Sequence, residues 1–197
     1  MIRGAAAALV VASLALPRVA RAELPSTPVL SYEAVRRAPV GAWAEYLMTQ
    51  AAEQESMRVR YTLVERGAKR LGIELDSRTP LGRMRVRLDF VPDGRDRWKL
   101  QKARMRMGDN AARDAPVPDA LARIGAGDPP PGDVVGHEEI VVKVGAVPTE
   151  HYRRAGEWPV DVWMSDGVAP IGLVRLADGH GGTLELVASG RGGKSDF

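Results

Sequence analysis

His137-Glu138-Glu139 is the densest run of metal- and proton-capable side chains in the sequence. A zinc peptidase would need a second histidine one helical turn on, and Val141 stands there instead. His151 lies between Glu150 and Tyr152 in alternating sequence, and His180 sits in the turn Asp178-Gly179-His180-Gly181-Gly182. Asp161, Asp166 and Glu185 could serve as acid and base only if the fold paired them. There is no G-x-S-x-G elbow, no P-loop and no dinucleotide-binding glycine motif. The absence of cysteine excludes thiol catalysis and Cys-based zinc sites. A hydrolase would require a deep pocket in which His151 meets a carboxylate. With no catalytic, metal or cofactor motif, the sequence reads as that of a non-enzymatic protein.

Two other patterns are more regular. In Gly82 to Phe90, Met84, Val86, Leu88 and Phe90 alternate with Arg83, Arg85, Arg87 and Asp89. The same alternation puts Met57, Val59 and Tyr61 opposite Arg58 and Arg60, and it recurs in Met105 and Met107 against Lys102, Arg104 and Arg106. One face is apolar and rich in Met, the other cationic. Met48, Met57, Met84, Met105, Met107 and Met164 all fall in expected strands. Flexible, polarizable Met suits a surface that accepts variable apolar shapes, and it fills an ordinary core equally well. The expected apolar pocket comprises Met57, Val59, Tyr61, Met84, Val86, Leu88, Met105, Met107 and Trp163. The expected basic face comprises Arg58, Arg60, Arg83, Arg85, Arg87, Arg104 and Arg106. It would suit anionic head groups or an acidic partner if those strands are neighbours. A solvated face that discourages edge aggregation is the plainer alternative.

The elements that position these faces follow from local chemistry. Met1-Ile2-Arg3, the apolar run Ala5 to Leu16 and Ala20-Arg21-Ala22 read as a cleavable Sec-type export signal, cut after Ala22. That run is shorter than the roughly 20 residues that span a bilayer. Removing Arg3, Arg18 and Arg21 turns 28 basic and 25 acidic residues into 25 of each, so the mature chain would be neutral. A basic field for nucleic acid is then not expected. The mature chain is large enough for one packed core without disulfides, in the periplasm or secreted.

Residues 23–40 read as a linker in which Ser31 caps a short helix over Tyr32 to Arg37, stopped before Pro39. A single β-rich domain follows over 41–190, and 191–197 reads as a frayed tail. Strands are expected at 42–50, 56–65, 71–75, 82–90, 98–107, 138–144, 149–154, 160–165, 172–177 and 183–189. A turn is expected over Asp76 to Pro80, and Pro92-Asp93-Gly94 forms another. The phase slips between Leu100 and Ala103, so a β-bulge is expected near Gln101 and Lys102. The Gly/Pro-rich stretch from Gly108 to Gly136 reads as a long loop, with helical turns over Pro118 to Ile124. The fold class is mainly β: a single curved antiparallel sheet or open half-barrel with one or two short helices.

The segments HEEIVVKVGAVPTEHYRR, VDVWMSDGVAPIGLVRL and GTLELVASGRGGKS resemble a group of uncharacterised exported bacterial proteins. Their order of elements is similar to the periplasmic lipoprotein-carrier superfamily of half-barrels (LolA/LolB-like). His151, Tyr152, Trp163, Pro170 and Gly172 are the positions most tied to that likeness. The resemblance implies a curved sheet whose concave side is plugged by helices, and it carries no catalytic residues. Two readings follow. In one, an exported module binds a lipid or a lipoprotein acyl chain in its Met-lined sheet. In the other, a non-enzymatic envelope protein binds a protein partner through its basic face or an edge strand. Neither needs a cofactor or nucleic acid, nor a transmembrane segment after cleavage.

Overall fold

The computed structural model describes residues 30–49, 56–79, 82–115, 123–125, 132–156 and 159–197. The expected export signal and Pro118 to Ala122 lie outside them. Helix α1 spans Tyr32–Arg37; Ser31 caps it, its Oγ accepting from the Ala34 amide at 3.2 Å.

The strands are β1 (Trp43–Thr49), β2 (Ser56–Arg66), β3 (Leu71–Thr79), β4 (Gly82–Pro92), β5 (Arg97–Met107), β6 (Arg113–Asp114), β7 (Arg123–Gly125), β8 (Asp133–Val142), β9 (Gly145–Arg154), β10 (Val160–Met164), β11 (Leu173–Asp178) and β12 (Thr183–Gly190). They form one open antiparallel sheet in the order β6-β5-β4-β3-β2-β1-β12-β11-β10-β9-β8, with β7 on β5. Two meanders thus run outward from a central β1–β12 pair, and the sheet does not close into a barrel.

The period-two reading locates ten of the strands, but the expected loop from Gly108 to Gly136 also carries β6 and the first residues of β8, and other local details differ. The alternation of Leu71, Ile73 and Leu75 continues through Ser77, so strand β3 takes all but the last residue of the expected turn over Asp76 to Pro80, and Pro80 lies outside the described residues. Arg123–Gly125 pairs with Arg97–Lys99 as strand, so the last residues of the expected helical turns are extended. The bulge is where the phase slip put it: Asp89 pairs with Lys102 and Phe90 with Leu100, leaving Gln101 as the extra residue.

The core lies on one face of the sheet, beneath α1. Tyr46, Leu63, Leu71, Ile73, Phe90 and Leu186 are fully buried there, with Val35 from the helix. The Tyr46 hydroxyl donates to the Leu173 carbonyl at 2.7 Å, so this buried phenol is satisfied. Burial pushes the phenols of Tyr46 and Tyr61 well up, so both stay neutral donors. The six-residue helix is tied to three parts of the sheet. The Ser31 amide donates to the Ile171 carbonyl at 2.8 Å. The Tyr32 hydroxyl reaches Asp96 in the β4–β5 turn at 3.3 Å, and Arg66 at the end of β2 donates to the Arg36 carbonyl at 2.6 Å. It therefore covers only the end of the sheet where β2 finishes and β3 begins.

On the opposite face, Glu45 of β1 accepts from Arg58 and Arg60 at 2.7 Å each. Its partial burial raises the carboxyl, but these hydrogen bonds outweigh that and hold it below its ordinary value of 4.5. A carboxylate favoured by the fold stabilises above its unfolded value and loses that contribution as pH falls through the folded one. Glu45→Gln should accordingly be less stable than wild type at pH 7, with the gap narrowing as pH falls below 4.5, as read by urea unfolding across that range.

Candidate functional site: the two faces of the sheet

Register places most of the expected pocket residues on one face. Val59 pairs with Ser77, Ser77 with Met84, and Met84 with Met107. One row further in, Tyr61 pairs with Leu75, Leu75 with Val86, and Val86 with Met105. Met57 faces Met48 on β1. Burial along this face is graded. Leu63, Ile73, Leu88 and Phe90 are buried near the helix end; further along, Met48, Val59, Tyr61 and Ser77 stay buried, whereas Met57, Leu75, Met84, Val86, Met105 and Met107 are only half-buried. The apolar surface continues past the cover that α1 supplies.

One polar side chain interrupts it. Ser77 is 3% exposed, shares the face with Val59 and Met84, and its hydroxyl has no hydrogen-bond partner among the described residues. Alternation from Leu71 onward could have found it, had β3 been carried past Leu75.

Trp163 is not with these residues, contrary to expectation. It pairs with Arg175, Arg175 with Glu185, Glu185 with Leu47 and Leu47 with Arg58, which is the outer face. Its indole stacks on His151 at 4.4 Å and donates to Glu138 at 2.6 Å. An indole has an N–H to satisfy, so it goes where an acceptor stands. His151, 7% exposed, meets carboxylates through both ring nitrogens: Nδ1 to Glu138 at 2.9 Å and Nε2 to Asp161 at 2.7 Å. Burial raises the Asp161 carboxyl, yet hydrogen bonds from Arg153 and His151 win and hold it low. With both nitrogens engaged, the ring offers no open position to a substrate. No group of His, Asp and Glu among the described residues is arranged to hold a metal. Beyond this cluster, strand β8 forms one edge of the sheet and exposes Val134, Val135 and Val141.

The expected basic residues share the outer face, but their strands are not all neighbours. Strand β3 lies between β2 and β4 and brings acids to the same parity. Asp76 stands between Arg60 and Arg85, and Glu74 faces Arg87. Arg58 and Arg60 are held by Glu45, and Arg60 also lies 4.4 Å over the Trp43 ring. Arg87 is 12% exposed and bonds three carboxylates, Asp89 at 2.7 Å, Glu65 at 2.8 Å and Glu74 at 3.0 Å. The patch is interdigitated with acids, not uniformly cationic.

The last residues complete this face, although a frayed tail was expected. They turn off β12 over Trp43, whose Nε1 donates to the Arg191 carbonyl at 3.3 Å, and the Gly193 amide donates to Gly41 at 2.9 Å. A Cβ at Gly193 would come within 2.7 Å of Thr62 Cγ2, so glycine permits the close passage. Asp196 then lies on Arg83 at 2.9 Å, and the Phe197 ring sits 5.2 Å from Arg104 and 5.3 Å from Arg106.

No family model and no curated protein matches this chain. Among solved structures it is similar to a hypothetical protein from Chlamydia trachomatis, with a TM-score of 0.47 and 8% identity over 85% of this chain and 95% of that one. No helix among the described residues is long and apolar enough to cross a membrane.

Proposed function

We propose that this protein is an exported binding or carrier module for a lipid-like ligand, taken up on the half-open, Met-lined end of its core face. The observation that carries the reading is the burial gradient. The same alternating face is sealed at Leu63, Ile73 and Phe90 and half-open at Met57, Met84, Val86, Met105 and Met107. Apolar surface contiguous with a core is stabilised by covering it, at about 25 cal/mol per Å² removed from water. Flexible thioethers can follow an acyl chain without a fixed shape. The sequence likeness to lipoprotein-carrier half-barrels bears on the curved sheet this reading needs more than on the ligand. Export would follow from cleavage after Ala22, and N-terminal sequencing of the periplasmic form should begin at Glu23.

The direct test is organic extraction of purified mature protein with mass spectrometry, alongside titration with a fluorescent fatty acid. Co-purified lipid and saturable uptake are expected, with uptake lost in Val86→Asp. An empty extract together with no uptake would rule the reading out.

Ser77 sharpens the ligand's chemistry. A buried hydroxyl with no partner is costly, and a ligand carbonyl or carboxyl within reach would satisfy it. Ser77→Val should stabilise the empty protein by about 1 kcal/mol in urea unfolding. The same change should weaken fatty-acid binding roughly tenfold while sparing a pure hydrocarbon probe. Equal losses for both probes would show that the hydroxyl does not read a polar head.

A further inference from the structure

Across β4 and β5, Arg85 stands directly opposite Arg106, and Arg87 opposite Arg104. Like charges facing each other destabilise a sheet unless something anionic or electron-rich lies between them. For the second pair the chain supplies it: Asp89 accepts from Arg87 at 2.7 Å and from Arg104 at 3.1 Å. For the first pair it supplies no carboxylate among the described residues. Arg85 donates to two main-chain carbonyls, Asp196 at 2.8 Å and Gly108 at 3.1 Å, and Arg106 donates to the same Asp196 carbonyl. The Nε atoms of Arg85, Arg104 and Arg106 are buried with no acceptor among the described residues. Three donors in one small region are thus left open.

The tail behaves there as a ligand would. Asp196 is read at three groups: its carboxylate by Arg83, its carbonyl by Arg85 and Arg106, and its amide by Glu74 at 3.2 Å. Ser195 donates to Glu74, and the Phe197 ring lies beside Arg104 and Arg106. Recognition of one residue's main chain, with separate places for an acid and an aromatic ring, is how extended peptides are bound. Ser195 and Asp196 nevertheless remain exposed, and the segment leaves β12 through Gly192 at φ +83. The strap is held by polar contacts on a glycine pivot, so another segment can replace it.

We propose that the outer face of β3, β4 and β5 is a docking groove for an extended segment of a partner protein bearing a carboxylate followed by an aromatic residue, which the chain's own Ser195–Phe197 occupies in its absence. A polypeptide fits better than an anionic membrane surface. Glu74, Asp76, Asp89 and Glu65 stand among the arginines and would repel a sheet of phosphates, whereas Glu74 matches a peptide amide. This groove lies on the face opposite the proposed lipid site, so the two readings stand or fall separately.

The test uses the full chain and a fluorescein-labelled peptide GRGGKSDF, the sequence of residues 190–197. A tethered tail competes at an effective concentration of roughly millimolar. Asp196→Ala/Phe197→Ala should therefore bind the peptide at least about tenfold more tightly than wild type by fluorescence anisotropy. Adding Arg85→Lys/Arg106→Lys, which keeps the charge but loses the planar fork, should abolish that gain while thermal unfolding stays unchanged. A peptide with Ala at the Asp and Phe positions should not bind. Equal affinity for wild type and tail variant, or indifference to the peptide's Asp and Phe, overturns the proposal. So does binding of the tail variant to phosphatidylglycerol vesicles but not to peptide, which assigns the face to lipid. A wild-type dimer that dissociates in the tail variant would assign it to a second copy.

Discussion

Arg87→Ala is expected to be among the most damaging substitutions on the polar side of the sheet, lowering stability by about 3–5 kcal/mol. Arg87 is more buried than Arg58, Arg60, Arg83 and Arg104, and its single charge bridges Asp89, Glu74 and Glu65. Burial opposes its charge, yet the carboxylates outweigh that and raise its pKa above the ordinary guanidinium value. Removing the cation leaves Glu74, itself buried, facing two other carboxylates with no guanidinium between them. Screening protects Glu65 more than Glu74, because Glu65 is 42% exposed and Glu74 only 9%. In a protein of this size the loss corresponds to a melting temperature lower by on the order of 10 °C. Arg87→Met/Glu74→Leu should recover much of it, because an apolar pair of matched volume avoids the stranded charge. A single-variant loss under about 1 kcal/mol would mean that the cluster is solvated and structurally idle.

On the core face, Phe90→Ala should cost about 3–5 kcal/mol, while Met84→Ala on the same strand and face should cost about 1 or less. Phe90 is 1% exposed beneath the helix-covered end, and its truncation leaves a cavity that its neighbours cannot fill. Met84 is half-buried at the open end, where solvent or ligand can take the vacated space. Urea unfolding of both variants under one buffer measures the contrast. Equal losses would show that the Met end is packed as tightly as the rest, and the proposed lipid site would lose its physical basis. The same pair should diverge in binding: Met84→Ala is expected to weaken fatty-acid uptake, and any weakening in Phe90→Ala should follow its loss of folded protein.

The sequence by itself determined ten of the twelve strands, the helix with its Ser31 cap and the bulge at Gln101. Each is written in residues a few places apart: alternation sets parity, a hydroxyl before the first turn caps it, and a phase slip demands one extra residue. It also determined that Met57, Met84, Val86, Met105 and Met107 share one side while Arg58, Arg83, Arg85, Arg87, Arg104 and Arg106 share the other. What parity cannot state is which strand lies beside which, since that depends on pairings tens to more than a hundred residues apart. Only the tertiary structure slid β3 between β2 and β4, setting Glu74 and Asp76 among the arginines. Pairing of β10 with β9 and β11 put Trp163 against His151, where its N–H found Glu138. The tail was hardest to read, because Arg191 to Phe197 carries no periodicity and its partners on β4 and β5 lie ninety or more residues earlier. Its place is decided by the charge left over on the assembled sheet, a quantity that exists only once β4 and β5 have met.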